Sequence, residues 1–159
     1  MNESEPELQR KALAYIRRHC MNAELWQYTV IGNAHVEIAA AIGTQPGELP
    51  LVSCLVSGES WYIFTTRRIV SRCRGTTRQL LAPSISGKHY GNFKGHARSG
   101  SRAVLTEIAT LENPETGVTL ELEFETMYAS MAPIYACKFW ERRSKQRASK
   151  KVSPGGGDA

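Results

Sequence analysis

Residues 118–125, Val-Thr-Leu-Glu-Leu-Glu-Phe-Glu, alternate apolar and polar along their whole length. Successive side chains of a strand point to opposite faces, so Val118, Leu120, Leu122 and Phe124 share one face and Thr119, Glu121, Glu123 and Glu125 the other. A strand of this kind belongs to a sheet packed on one side and wet on the other, which is the habit of antiparallel sheets. Residues 103–111 lead into it across Glu-Asn-Pro-Glu-Thr-Gly, whose proline and glycine are turn formers. The two segments make the clearest hairpin in the chain.

The same period of two starts at Leu49. Leu-Pro-Leu-Val-Ser-Cys-Leu-Val reads as a strand, residues 57–60 as a turn, and Trp-Tyr-Ile-Phe-Thr-Thr as a strand rich in aromatic and β-branched residues. Residues 67–74 read as a third strand, with Ile69, Ser71 and Cys73 on one face and Val70, Arg72 and Arg74 on the other, followed by a turn at Gly75. Residues 79–85 supply a short fourth strand interrupted at Pro83, which suits an edge or a strand end. Gly87, Gly91, Gly95 and Gly100 then punctuate a basic stretch, residues 86–101, that reads as a loop or an irregular edge strand.

Helical signals lie at the two ends. Ser4 is a candidate N-cap, Glu5 and Glu7 suit the positive pole of a helix dipole, and Arg17, Arg18 and His19 suit the negative pole. Leu8, Ala12, Tyr15 and Ile16 form its apolar stripe. Residues 21–42 are ambiguous, with a second helix over residues 23–28 and a third over 34–42 as candidates before the breaker Gly-Thr-Gln-Pro-Gly. A last helix runs from Met127 or Pro133 to about Arg147, and residues 148–159 have the composition of a disordered tail. With 159 residues, one core suffices. The expected class is α+β: an antiparallel, partly open barrel or sandwich of about seven strands over 49–147 with a C-terminal helix, preceded by an N-terminal helical segment over 1–48.

Several chemistries find no support in the residues. His19, His35, His89 and His96 form no close pair at metal-ligand spacing and the cysteines form no C-x-x-C, so no metal and no cofactor is expected. Cys20, Cys54, Cys73 and Cys137 are widely spaced and read as reduced, partly buried thiols of a cytoplasmic protein. The only aspartate is Asp158 in the tail and no nucleophile elbow occurs, so no catalytic residue is assigned. Glu37 near His35, or Glu107 near His89 or His96, are the acid–base pairs from which an enzyme would be built. No apolar run approaches the length of a membrane span.

Charge is unevenly distributed. Residues 60–106 hold nine Arg or Lys and no acid, whereas residues 107–125 hold six Glu and no base. Such asymmetry steers charged partners. Arg67, Arg68, Arg72, Arg74, Arg78, Lys88 and Lys94, continued by Arg98 and Arg102, are the candidate anion-binding set, because guanidinium groups bind carboxylates and phosphates through paired hydrogen bonds. The plainer alternative is that they pair with Glu121, Glu123 and Glu125 across the sheet or face water. Tyr90 and Phe93 either stack nucleobases within the basic loop or pack beneath it. A second basic run over 138–151 has Phe139 and Trp140 near its start, and docking on a membrane would need one of those rings exposed.

The strand–turn–strand WYIFTTRRIV, in the order of short antiparallel strands followed by one amphipathic helix, resembles the bacterial pleckstrin-homology-like and GRAM-like domains. Ile63, Phe64, Thr65, Arg68, Ile69 and Val70 match their apolar-apolar-Thr-x-x-Arg-apolar-apolar segment, and the resemblance spans residues 49–147. It implies a partly open barrel plugged at one end by the helix, and no shared enzymatic activity. The expected function is a non-catalytic binding module that recognises an acidic protein or an anionic lipid headgroup through the basic face. The alternative is a small RNA- or DNA-binding protein using the glycine-rich loop and the basic helix end. A homodimer stays open.

Overall fold

A computed structural model describes residues 3–96 and 105–152. The fold is α+β, built from two antiparallel sheets that do not close into a barrel. Helix α1 (Glu5–Arg18) starts where the Ser4 hydroxyl accepts the Glu7 N–H at 3.3 Å. Strand β1 (Thr29–Ile31) and helix α2 (Val36–Ile42) follow, and Gly43, at a φ of +61°, ends the helix in the left-handed conformation that glycine tolerates best. Next come β2 (Pro50–Ser57), β3 (Ser60–Thr65), β4 (Arg68–Cys73) and β5 (Thr76–Leu81), which pair in sequence order with β1 at one edge. The second sheet contains β6 (Ser86–His89), β7 (Thr106–Glu112) and β8 (Thr119–Glu125), and helix α3 (Met131–Val152) closes the chain.

The main core lies between the sheets. Leu120, Leu122 and Phe124 of β8 face Cys54, Tyr62, Phe64, Ile69 and Leu80 of the larger sheet, all buried. Ala12 and Ile16 of α1 and Ala132, Ala136, Cys137 and Trp140 of α3 seal the same core. Strand β3 is buried on both faces, because Trp61 and Ile63 point away from the main core into a second cluster with Val70 and Ile38 of α2. Two ordinary sheet faces are thus covered by different parts of the chain.

The N-terminal 48 residues are woven into this architecture. α1 packs on α3, β1 extends the larger sheet by pairing Thr29 with Cys54, and α2 covers the outer face. The helix expected over residues 23–28 is reduced to a single turn (Ala23–Leu25), because the chain must straighten to enter β1. Glu125 supplies the corner between the sheets: its carboxylate accepts the Gln27 and Tyr28 N–H groups at 2.8 and 2.9 Å and the Thr29 hydroxyl at 2.8 Å. A side chain there replaces a ladder of backbone hydrogen bonds.

The C-terminal helix continues to Val152, past the expected end at Arg147. The expected disordered tail beyond that point, with Arg98, Arg102 and the rest of residues 97–104, lies outside the described residues. Val118, expected to face inward, sits before β8 begins and is 51% exposed. No described helix is long and apolar enough to cross a membrane.

Candidate functional site

The basic run does not form one face. Pairing of Arg72 with Thr77 and of Ser71 with Arg78 places Arg72 on the outer face of the larger sheet and Arg78 on the face that carries Ser71 and Cys73. Arg74 is on no strand face: with Gly75 it makes the two-residue turn between β4 and β5, at φ values of +50° and +84°. Positive φ at both positions is the type I′ geometry that right-twisted hairpins favour.

Three of the seven candidate arginines and lysines hold the fold together. Arg67 donates to Glu5 at 2.8 Å, to the Gln45 side-chain oxygen at 3.1 Å and to the Pro46 carbonyl at 2.8 Å, tying the β3–β4 turn to α1 and to the segment after α2. Arg68 grips both oxygens of the buried Glu48 at 2.8 and 3.0 Å and also reaches the Ile42 carbonyl at 3.3 Å. Burial raises the Glu48 pKa, but hydrogen bonds from Arg68, the Gln45 N–H and Thr65 outweigh it and hold the carboxyl at about 2. Arg72 donates to Glu59 at 2.9 Å and to the Thr77 hydroxyl at 3.0 Å. None of these partners is Glu121, Glu123 or Glu125.

The other four are open to solvent. Lys88 stands 3.9 Å from Glu112 with its side chain 56% exposed, and Lys94 lies over the Phe93 ring. Arg74 and Arg78 are exposed and make no ion pair among the described residues. Both line a cleft of about 420 Å³ with Cys73, Thr76, Thr119 and Glu121, at the seam where the edge of the larger sheet meets β8. Burial pushes the Cys73 thiol up, which keeps it protonated at neutral pH.

The loop aromatics pack inward. Tyr90 and Phe93 lie against the main core, and a side chain at Gly87 would run into the Tyr90 ring, so that glycine serves close packing. Phe139 and Trp140 are both buried, at 8% and 2% exposure, which leaves the basic end of α3 without an aromatic membrane anchor. Both Glu107 oxygens accept backbone N–H groups, from Asn92 at 2.9 Å and Ile108 at 2.8 Å. His35 Nδ1 lies 2.8 Å from the hydroxyl of Ser53, which is fully buried. All four cysteines are free thiols.

Sequence reasoning missed a different surface, at the opposite end of β8. Met127, the earlier of the two starts expected for the last helix, and its neighbour Tyr128 instead belong to a short turn (Met127–Ser130) and are about half exposed. The left-handed backbone of Met127, at a φ of +64°, is the physical cause, and no periodicity signals it. No family model, curated protein or solved structure matches this chain.

Proposed function

We propose that this chain is a non-catalytic binding module of the pleckstrin-homology-like kind that recognises an acidic protein segment at the β4–β5 hairpin. One observation carries the reading. Of the arginines on β4, β5 and their turns, Arg74 and Arg78 alone lack an internal partner among the described residues, and they flank one cleft. Arg74 also occupies the first position of a type I′ turn, where asparagine or glycine fits better. An arginine kept in a left-handed turn is a reason to look for a task outside the fold.

The position of the cleft favours an extended acidic segment. β5 is the terminal strand of its sheet, so its outer backbone groups are available to an added strand, and Arg78 projects beside them. Two antiparallel sheets followed by one helix, with Ile63 to Val70 spanning the β3–β4 turn, support the family resemblance. A lipid surface is disfavoured by the burial of Phe139 and Trp140, and nucleic acid by the inward packing of Tyr90 and Phe93.

The test is a salt series of binding to Glu- and Asp-rich peptides, to phosphatidylserine vesicles and to single-stranded RNA, with Arg74→Glu/Arg78→Glu alongside. The reading expects peptide binding that the double variant weakens at least about tenfold. A variant that binds as tightly as the parent overturns it. Preferential RNA binding with a steep salt slope would instead establish a phosphate-backbone ligand.

A further inference from the structure

Nine large apolar side chains are exposed among the described residues, and five of them gather in one place. Met21, Leu25, Leu105, Met127 and Tyr128 are each more than half exposed, and together they line two adjoining clefts of about 210 and 430 Å³. Met127 and Tyr128 belong to both clefts and form the ridge between them. Contiguous apolar surface of this kind marks an interaction site, and methionine adapts readily to an incoming side chain.

The backbone beneath the ridge is held in an unusual state. Met127 has a φ of +64°, its N–H donates to the Phe93 carbonyl at 2.9 Å, and its own carbonyl accepts the Ser130 hydroxyl. Two hydrogen bonds thus fix a residue in a conformation that non-glycine residues avoid, with its side chain half in solvent.

The lip of the larger cleft carries one cation: Lys94 lines it and makes no ion pair among the described residues. Lys138 sits over the Tyr135 ring at 4.8 Å, and that ring stacks on His19 at 4.0 Å. Glu125 lines the smaller cleft, but its carboxylate is committed to Gln27, Tyr28 and Thr29.

We infer that the paired clefts bind a segment of an acidic protein carrying two bulky apolar side chains, one on each side of the Met127–Tyr128 ridge. Two pockets sharing one ridge suit two side chains of a peptide better than one acyl chain. The surface stands apart from Arg74 and Arg78, since the hairpin cleft involves the start of β8 and this one its end. Neither site rests on the other.

The four methionines are Met1, Met21, Met127 and Met131, and the last three line the clefts, so methionine methyl NMR reads the site directly. The probe is a pool of synthetic peptides with Leu, Phe or Trp at two positions and Asp or Glu elsewhere, compared with the same pool carrying Lys in place of the acids. The inference expects the Met21, Met127 and Met131 methyls to shift with the acidic pool. Lys94→Glu should weaken that response about tenfold while Arg74→Glu/Arg78→Glu leaves it intact. Absence of a shift, or equal shifts with both pools, overturns the inference. Shifts that grow with the protein's own concentration would assign the surface to a second copy, and shifts with phosphatidylserine vesicles alone would assign it to lipid.

Discussion

Arg68 and Arg74 both looked like ligand-binding arginines, and what separates them is the company each keeps. Arg68 is 12% exposed in its side chain and faces a carboxylate, Glu48, that has no exposure at all. Breaking a buried pair leaves the other charge stranded, so Glu48→Gln should cost about 3 kcal/mol, measurable by urea denaturation. The folded pKa of Glu48 lies near 2, below its ordinary 4.5. Its stabilising contribution is therefore complete above pH 4.5 and is lost as the pH falls toward 2. The acid limb of a stability–pH curve should flatten between those values in the Gln variant. Arg74 pulls the other way: Arg74→Asn should stabilise the hairpin by up to about 1 kcal/mol, because asparagine tolerates the left-handed region, while weakening acidic-peptide binding. A variant that gains stability and keeps its affinity would remove Arg74 from the site.

At the level of elements, β8 shows how far an alternating pattern reaches. Leu120, Leu122 and Phe124 are buried as the alternation requires, and the strands β2, β3 and β4 stand where aromatic and β-branched runs place them. Glu125, however, reads from the same alternation as a solvent-facing residue, and its three accepted hydrogen bonds come from a segment almost a hundred positions away. Period records which face a side chain takes and carries no information on what is opposite. β1 was illegible for a related reason: three residues, Thr29 to Ile31, become a strand only because β2 offers them an edge. Glu125→Ala should leave two backbone donors and a hydroxyl without their acceptor, at a cost of about 1–3 kcal/mol. Amide hydrogen exchange at Gln27 and Tyr28 should accelerate before that of the central strands. Unchanged exchange at those amides would mean that β1 is held by its ladder to β2 alone.

For the whole molecule, the basic and acidic blocks of the sequence suggested two faces, and folding divides them differently. The partners of Arg67, Arg68 and Arg72 are Glu5, Glu48 and Glu59, all N-terminal to the basic block: the N-terminal segment wraps onto the larger sheet and brings Glu5 and Glu48, and the β2–β3 turn brings Glu59. Sequence patterns exposed the sheet and the terminal helices but not this wrapping, which depends on contacts distant along the chain. Its energetic weight is testable at Ile38, the fully buried α2 residue that covers Trp61, Ile63 and Val70: Ile38→Ala should cost about 2–5 kcal/mol. A near-neutral substitution there would make α2 a detachable cover. With Arg67, Arg68 and Arg72 committed internally, Arg74, Arg78, Lys94, Lys145 and Arg147 are among the exposed cations that make no ion pair among the described residues. Calorimetric titration of an Asp- and Glu-rich peptide into the parent protein, into Arg74→Glu/Arg78→Glu and into the charge-matched Lys145→Glu/Arg147→Glu separates local recognition from net charge. The account predicts at least about tenfold weaker binding for the hairpin variant and a much smaller loss for the helix variant. Equal losses in the two would show that only overall charge matters and would contradict a site at the hairpin.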